Sequence, residues 1–190
     1  PLVEDGFMYV TDGWGSVYKF DATKNGKLVW KMNPDTDKDF PGAVTCCGIN
    51  NRGVALIDNK VVSHTLDGRL IVTNKDSGEI EQEVQLADAS IAEVITAAPL
   101  VVKNSAITGV AGAEYGIRGW LHSTNLADGS KNWRTYTIPA PDEPGGDTWK
   151  QGPEAHSKDA WMHGGGSTWV VGSYDPDLDV IYWGCLLYTS

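Results

Sequence analysis

The sequence predicts an all-β fold, and within that class a β-propeller, on three observations. Turn dipeptides recur at Asp5-Gly6, Asp12-Gly13, Asn25-Gly26, Asp67-Gly68 and Asp128-Gly129, between short runs of β-branched and aromatic residues, the mark of consecutive hairpins. Strand ends recur over a longer period. Asn74, Gly78 and Gln82 align with Asn125, Gly129 and Trp133, and the stretch from Asp21 to Trp30 repeats the pattern loosely. The end positions 30, 82 and 133 lie 52 and 51 residues apart, close to the period of about 50 residues of a kelch-like four-stranded blade. The third observation is composition: eight Trp and 22 Gly supply aromatic plugs and tight turns.

In chain order, the clearest strands are predicted over residues 7–10, 16–20, 27–31, 60–65, 69–74, 120–125 and 179–183. Helical periodicity is almost absent, and residues 86–94 are the one stretch expected to form a short helix. A single four-stranded sheet cannot bury its own faces, so blades must pack around a common axis, with Trp30 and Trp133 expected to plug the gaps between neighbours. At about 50 residues per blade, 190 residues make fewer than four blades. Residues 134–168 interrupt the pattern with a Pro- and Gly-rich run and close on Gly164, Gly165, Gly166, Ser167, Thr168 and Trp169. A long loop of this kind inside a compact fold is usually functional.

Hydrophobic residues make up 41% of the chain, enough for a substantial core. A formal charge of −10 opposes binding to phosphate backbones and the chain has no basic cluster for an anionic membrane, so a small or neutral partner is expected rather than nucleic acid. No apolar run approaches the roughly 20 residues of a membrane span. The chain opens at Pro1 with neither an initiator Met nor a signal peptide, which reads as a truncated start. His64, His122, His156 and His163 have separations that fit no zinc pattern and are expected to be structural or on the surface.

Cys46 and Cys47 are adjacent, five residues ahead of Arg52. Neighbouring Cα atoms lie about 3.8 Å apart, below the usual disulfide range, so a bond between them would close a strained ring. Taken alone, the dipeptide reads as two reduced thiols. If the pair is oxidised, Cys185 is left over and the compartment is an oxidising one such as a periplasm.

Four segments together resemble the quinoprotein alcohol dehydrogenases of the methanol and ethanol dehydrogenase family, which bind pyrroloquinoline quinone (PQQ). They are Cys46 and Cys47 through Arg52 and Gly53; Thr96, Ala97, Ala98, Pro99 and Leu100; Gly112, Ala113, Glu114, Tyr115, Gly116, Ile117, Arg118 and Gly119; and the Gly164 to Trp169 run followed by Tyr174, Asp175 and Pro176. The resemblance covers residues 1–184, a partial propeller domain similar to the N-terminal half of an enzyme whose full ring has eight blades. Residues 185–190 read as a tail unlike the family.

The resemblance implies a PQQ-dependent enzyme that oxidises a primary alcohol to an aldehyde by hydride transfer to a metal-bound quinone. It also implies a calcium or lanthanide ion, a cytochrome c-type electron acceptor and a periplasmic location. It implies that Cys46 and Cys47 form a vicinal disulfide on one face of the quinone and that Trp169 covers the other. Arg52, Thr96 and Ser167 match polar cofactor contacts, Gly112 and Ala113 match a close backbone approach, and Glu114 matches the metal ligand. Ala111 stands where many methanol-oxidising relatives have Ser. The family's catalytic Asp base lies beyond the chain and a further cofactor-contacting Glu lies ahead of Pro1, so residues 1–190 alone are expected not to turn over alcohol. The alternatives are a non-catalytic propeller scaffold, which has no need for Cys46, Cys47, Glu114 and Trp169 together, and a membrane glucose dehydrogenase-like quinoprotein.

Overall fold

Each turn dipeptide takes a backbone conformation that its residues tolerate. Asp5 (φ 50°) and Gly6 (φ 79°) both enter the left-handed region, as do Asn25 (φ 53°) and Gly26 (φ 69°). The first pair makes a two-residue hairpin between β1 (Leu2–Glu4) and β2 (Phe7–Thr11), with Glu4 opposite Phe7. The structure, a computed structural model, describes residues 1–39, 41–148 and 159–186. His156 and residues 187–190 of the expected tail lie outside these.

Hairpins of this kind repeat into blades. β1, β2, β3 (Val17–Asp21) and β4 (Lys27–Met32) form one four-stranded antiparallel sheet. The second sheet comprises β5 (Ala55–Ile57), β6 (Lys60–His64), β7 (Arg69–Asn74) and β8 (Ile80–Gln85). The third comprises β9 (Leu100–Val102), β10 (Ser105–Gly109), β11 (Trp120–Asn125) and β12 (Lys131–Tyr136). The hairpin of β13 (Ser173–Asp175) and β14 (Val180–Tyr182) begins a fourth blade. The first strands approach one another, β5 on β9 and β9 on β13, which places them toward the axis. The fourth strands are mostly exposed and form the outer rim.

The long period is visible in backbone geometry. The register shifts once between the third and fourth strands of each blade, at Lys19/Phe20, Val72/Thr73 and Ser123/Thr124. A turn follows in which the carbonyl of Asp21, Asn74 or Asn125 accepts from the amide of Gly26, Gly78 or Gly129, at 3.1, 2.9 and 2.8 Å. Each Asp or Asn side chain also accepts from the amide two residues on, an Asx-turn. Trp30 plugs as expected: its Nε1 donates to the Lys75 carbonyl (3.1 Å), and a Cβ on Gly78 would come within 2.8 Å of its ring. Lys19 Nζ donates to the same carbonyl (2.7 Å), and Lys60 Nζ donates to the equivalent Leu126 carbonyl of the third blade (2.8 Å).

The core lies between sheets. Tyr9, Val17, Trp30 and Met32 of the first blade meet Val61 and Ile71 of the second. Val62, Leu70 and Val72 of the second meet Ala106, Val110, Trp120 and Leu126 of the third. Trp133 is 39% exposed; the turn that receives Trp30 joins the third and fourth strands of the next sheet, and the described residues after Trp133 form the β13–β14 pair alone. One expectation is corrected. The helix over 86–94 shrinks to a 3₁₀ turn, Ala89–Ile91, because the Leu86 and Ala87 amides bond the Gly68 carbonyl and Ala92 takes φ 69°, ending the turn.

His64 and His122 are structural. Fully buried His64 places Nδ1 2.9 Å from the Ala97 carbonyl and Nε2 2.9 Å from Thr108 Oγ1. His122 Nδ1 accepts from Arg134 Nε at 3.0 Å. Burial pushes both rings down to about 4, helped at His122 by the Arg134 charge. The unfolded chain therefore binds more protons between about pH 6.5 and 4, and stability present above 6.5 is lost as pH falls through that window. For His64 alone the loss reaches on the order of 3 kcal/mol. Chemical denaturation as a function of pH checks this, and His64→Gln is expected to flatten the slope.

Candidate functional site

Four loops open on the same end of the sheets: the connections β4 to β5, β8 to β9 and β12 to β13, and the β10 to β11 loop. In an antiparallel blade these all emerge on one side, and three of them lead into an axial strand. Side chains on these loops meet in a cavity of about 130 Å³.

The β4 to β5 loop carries Thr45, Cys46, Cys47, Asn50 and Arg52, all of which line the cavity. Thr45 Oγ1 bonds the Pro41 carbonyl (2.7 Å), and Asn51 spans from the His64 carbonyl (2.8 Å) to the Gly53 amide (2.9 Å). Arg52 is fixed at both ends. Its amide donates to the Thr96 carbonyl (3.1 Å), and its guanidinium donates to Asn50 Oδ1 (2.7 Å) and to that same carbonyl (3.2 Å). The guanidinium carbon lies 4.8 Å from the centre of the Trp169 ring, a cation–π contact.

Cys46 and Cys47 are free thiols with their sulfurs 3.1 Å apart. That separation is a thiol contact, longer than a covalent bond of about 2.05 Å. The Cys46 thiol is pushed up to about 11, first by its hydrogen bond with Cys47, then by burial and by the Cys47 and Glu114 charges.

An isolated bridge joins Val94 to Ala111, and both line the cavity beside Thr96. Gly112 then turns the chain at φ 121°, where a Cβ would stand 2.0 Å from the Ala92 carbonyl oxygen. The 3₁₀ turn Ala113–Tyr115 follows and presents Glu114 to the cavity. Gly112 and Ala113 stand behind the wall: Ala113 is buried, its carbonyl is where a Cβ on Gly164 would press, and neither residue lines the cavity.

Gly164, Gly165 and Gly166 all take positive φ (102°, 93° and 64°), a run that only glycine adopts without strain. They feed the chain under the Gly119 backbone into Ser167, Thr168 and Trp169. Thr168 anchors the segment by donating to the Trp120 carbonyl (2.7 Å) and accepting from the Val110 amide (2.8 Å). Ser167 donates to the Val110 carbonyl (3.1 Å) and lines the cavity. Leu186, whose amide donates to the Ser167 carbonyl (2.9 Å), completes the lining.

Seven of the nine expected site residues thus meet in one cavity: Cys46, Cys47, Arg52, Thr96, Glu114, Ser167 and Trp169. Thr45, Asn50, Val94 and Leu186 also line it without having been expected. Asn50 sits inside the Cys46 to Arg52 run, and its signal was a carboxamide two residues from the arginine. Among the described residues no group of three or more His, Cys, Asp or Glu is placed to hold a metal ion. Glu114 stands alone as a carboxylate on the wall.

Stacked four-stranded blades with sulfurs, an indole, a guanidinium and a carboxylate gathered around a cavity at one end define a partial β-propeller. The chain belongs to the PQQ family described as the glucose/ethanol/alcohol dehydrogenase β-propeller domain, which it matches over residues 1–186. It is 36% identical over 97% of its length to quinohemoprotein alcohol dehydrogenase ADH-IIG of Pseudomonas putida, and 35% identical over 97% to a lanthanide-dependent methanol dehydrogenase of Methylorubrum extorquens. It covers 26% and 32% of those proteins. Among solved structures, it superposes on the ADH-IIG enzyme with a TM-score of 0.87 at 34% identity, covering 97% of this chain and 28% of that one. For a europium-containing methanol dehydrogenase the TM-score is 0.84 at 33% identity, covering 97% and 34%.

Proposed function

We propose that this chain forms part of the active site of a periplasmic, PQQ-dependent dehydrogenase that oxidises a primary alcohol to an aldehyde and passes electrons to a c-type cytochrome. The observation that carries the reading is the meeting of Cys46, Cys47, Arg52, Thr96, Glu114, Ser167 and Trp169, drawn from four loops, in one cavity. Relatives named as a lanthanide-dependent methanol dehydrogenase and a cytochrome c methanol dehydrogenase support the choice of metal and acceptor. A non-catalytic scaffold has no use for this set of side chains, and the relatives named for alcohol or methanol favour those substrates over glucose.

The donor set fits a flat, polyanionic quinone and a hard cation. The Trp169 indole and the Cys46/Cys47 pair offer broad apolar surfaces. Arg52, already held by Asn50 and the Thr96 carbonyl, supplies a positive charge in a chain of net charge −10. Thr96 and Ser167 add hydroxyls, and Glu114 supplies one hard oxygen donor of the kind calcium and lanthanides take. When bound, the quinone supplies the hydride acceptor and the ion a Lewis acid. The cavity is smaller than the roughly 300–1,000 Å³ usual for small-molecule sites, so these loops form one part of the wall.

The test is to purify the intact gene product, add PQQ with calcium or a lanthanide, and follow binding and alcohol-dependent dye reduction. Saturable binding with turnover of primary alcohols is expected. Absence of quinone binding with either ion would overturn the reading. In the same periplasmic preparation Cys46 and Cys47 are expected to be oxidised to each other, so that non-reducing peptide mass spectrometry finds the peptide two hydrogens light. Two freely alkylated thiols would refute the disulfide.

A further inference from the structure

The Gly112 to Gly119 segment contains one charged side chain that the site does not use. Arg118 lies four residues after Glu114, yet its guanidinium points away from the cavity and is mostly buried. It is engaged on every side. Nε donates to the Ile138 carbonyl (2.6 Å), and Nη2 pairs with the Glu143 carboxylate, which also accepts from the Ala140 amide (2.7 Å). The Tyr136 ring lies 3.7 Å from the guanidinium carbon, and the Trp161 ring lies 4.8 Å from it. These partners belong to the end of β12 and to both described flanks of the long connection to β13.

From this clamp a short run of contacts leads to the cavity. Ile138, gripped through its carbonyl, packs against the glycine run, where a Cβ on Gly166 would fall 2.8 Å from the Ile138 side chain. Thr137 Oγ1 bonds the Gly166 carbonyl, and the Gly119 amide, next to Arg118, bonds the Gly165 carbonyl (3.2 Å). Gly164 rests on the 3₁₀ turn that carries Glu114, its missing Cβ 2.6 Å from the Ala113 carbonyl oxygen. Arg118 therefore joins the segment bearing Glu114 to the segment bearing Ser167 and Trp169.

We infer that Arg118 is a positioning residue that sets the spacing between the Glu114 turn and the Trp169 face by clamping the β12 to β13 connection. The role needs a planar, forked cation: two hydrogen-bond directions lie in the guanidinium plane while two aromatic rings pack against it. An ammonium group cannot supply both at once. The inference rests on the proposed quinone site for its functional readout, and one arm of the test is independent of that site.

The test uses the intact gene product with Arg118→Lys and Arg118→Met. PQQ affinity, titrated by quenching of intrinsic Trp fluorescence with excess calcium and, separately, with excess lanthanide, is expected to weaken roughly tenfold or more in both variants, the size seen for outer-shell partners of metal sites. Charge retention by Lys should give no rescue. Hydrogen exchange of the ligand-free protein is expected to speed up at the Gly119 and Thr168 amides while β2 and β3 exchange as in the parent. If the parent does not bind PQQ, the functional reading fails and the exchange arm still decides this inference. Unchanged exchange at Gly119 and Thr168 overturns it, as does full affinity in the Lys variant or a loss of affinity no greater than the fall in folded fraction. Should the Met variant not fold, the Lys variant, which keeps the charge and most of the stem, decides alone.

Discussion

Replacing Glu114 with Gln in the intact protein is expected to abolish metal-dependent quinone binding and alcohol oxidation together, with a loss of more than about 100-fold in metal affinity. Outer-shell changes alone cost about 10- to 100-fold at metal sites, and here the substitution removes the charged oxygen itself. No other carboxylate lines the described cavity, so none is placed to take over. Folding should be unaffected, because Glu114 is exposed on its turn and the turn is held by backbone bonds from Tyr115 to Gly112 and from Gly116 to Ala113. Isothermal titration with calcium or a lanthanide in the presence of PQQ, beside a thermal melt, checks both halves. Unchanged metal content and turnover would return Glu114 to an ordinary surface carboxylate.

Gly119→Ala is expected to be strongly destabilising. A Cβ there would stand 1.9 Å from the Gly166 carbonyl oxygen and 2.5 Å from Thr137 Oγ1. The first of these is backbone, and it belongs to three consecutive residues already at positive φ. It has little room to yield. Overpacking costs about 1–3 kcal/mol where neighbours can shift, so a loss of about 3 kcal/mol or more is expected here, with weaker quinone binding as Ser167 and Trp169 are displaced. Urea denaturation and a PQQ titration of the same variant measure the two effects. A variant as stable as the parent would show that the crossing of Gly119 and Gly166 is looser than the structure has it.

How much of this was legible in the sequence depends on where each residue's partner lies. β7 was read with both bounds correct, because Arg69–Asn74 is an apolar run ended by an Asx-turn. β8 was missed: Ile80–Gln85 lies on the outer rim, where nothing forces apolar alternation. The blade period was read from three turn-and-strand ends, and the structure adds the register shift that precedes each turn. Trp133 holds the position of Trp30 in the repeat, but what receives a plugging ring is the turn of the next sheet, which the strand's own residues do not reveal. The gathered side chains of the site were legible through family resemblance, not through spacing. Arg118 and Thr168 were not, because they work through main-chain carbonyls and amides that leave no side-chain pattern.

Three blade-to-blade contacts whose donors are made before their acceptors bear on how the protein is made. Trp30 and Lys19 of the first blade bond the Lys75 carbonyl, and Lys60 of the second bonds the Leu126 carbonyl. In each case the acceptor is synthesised 45 to 66 residues after its donor. At roughly 5–20 residues per second on the ribosome, a newly emerged blade waits a few seconds or longer for the groups that complete it. During that interval its indole and ammonium face water or whatever else binds them, so a nascent propeller always carries one unfinished face at its growing end.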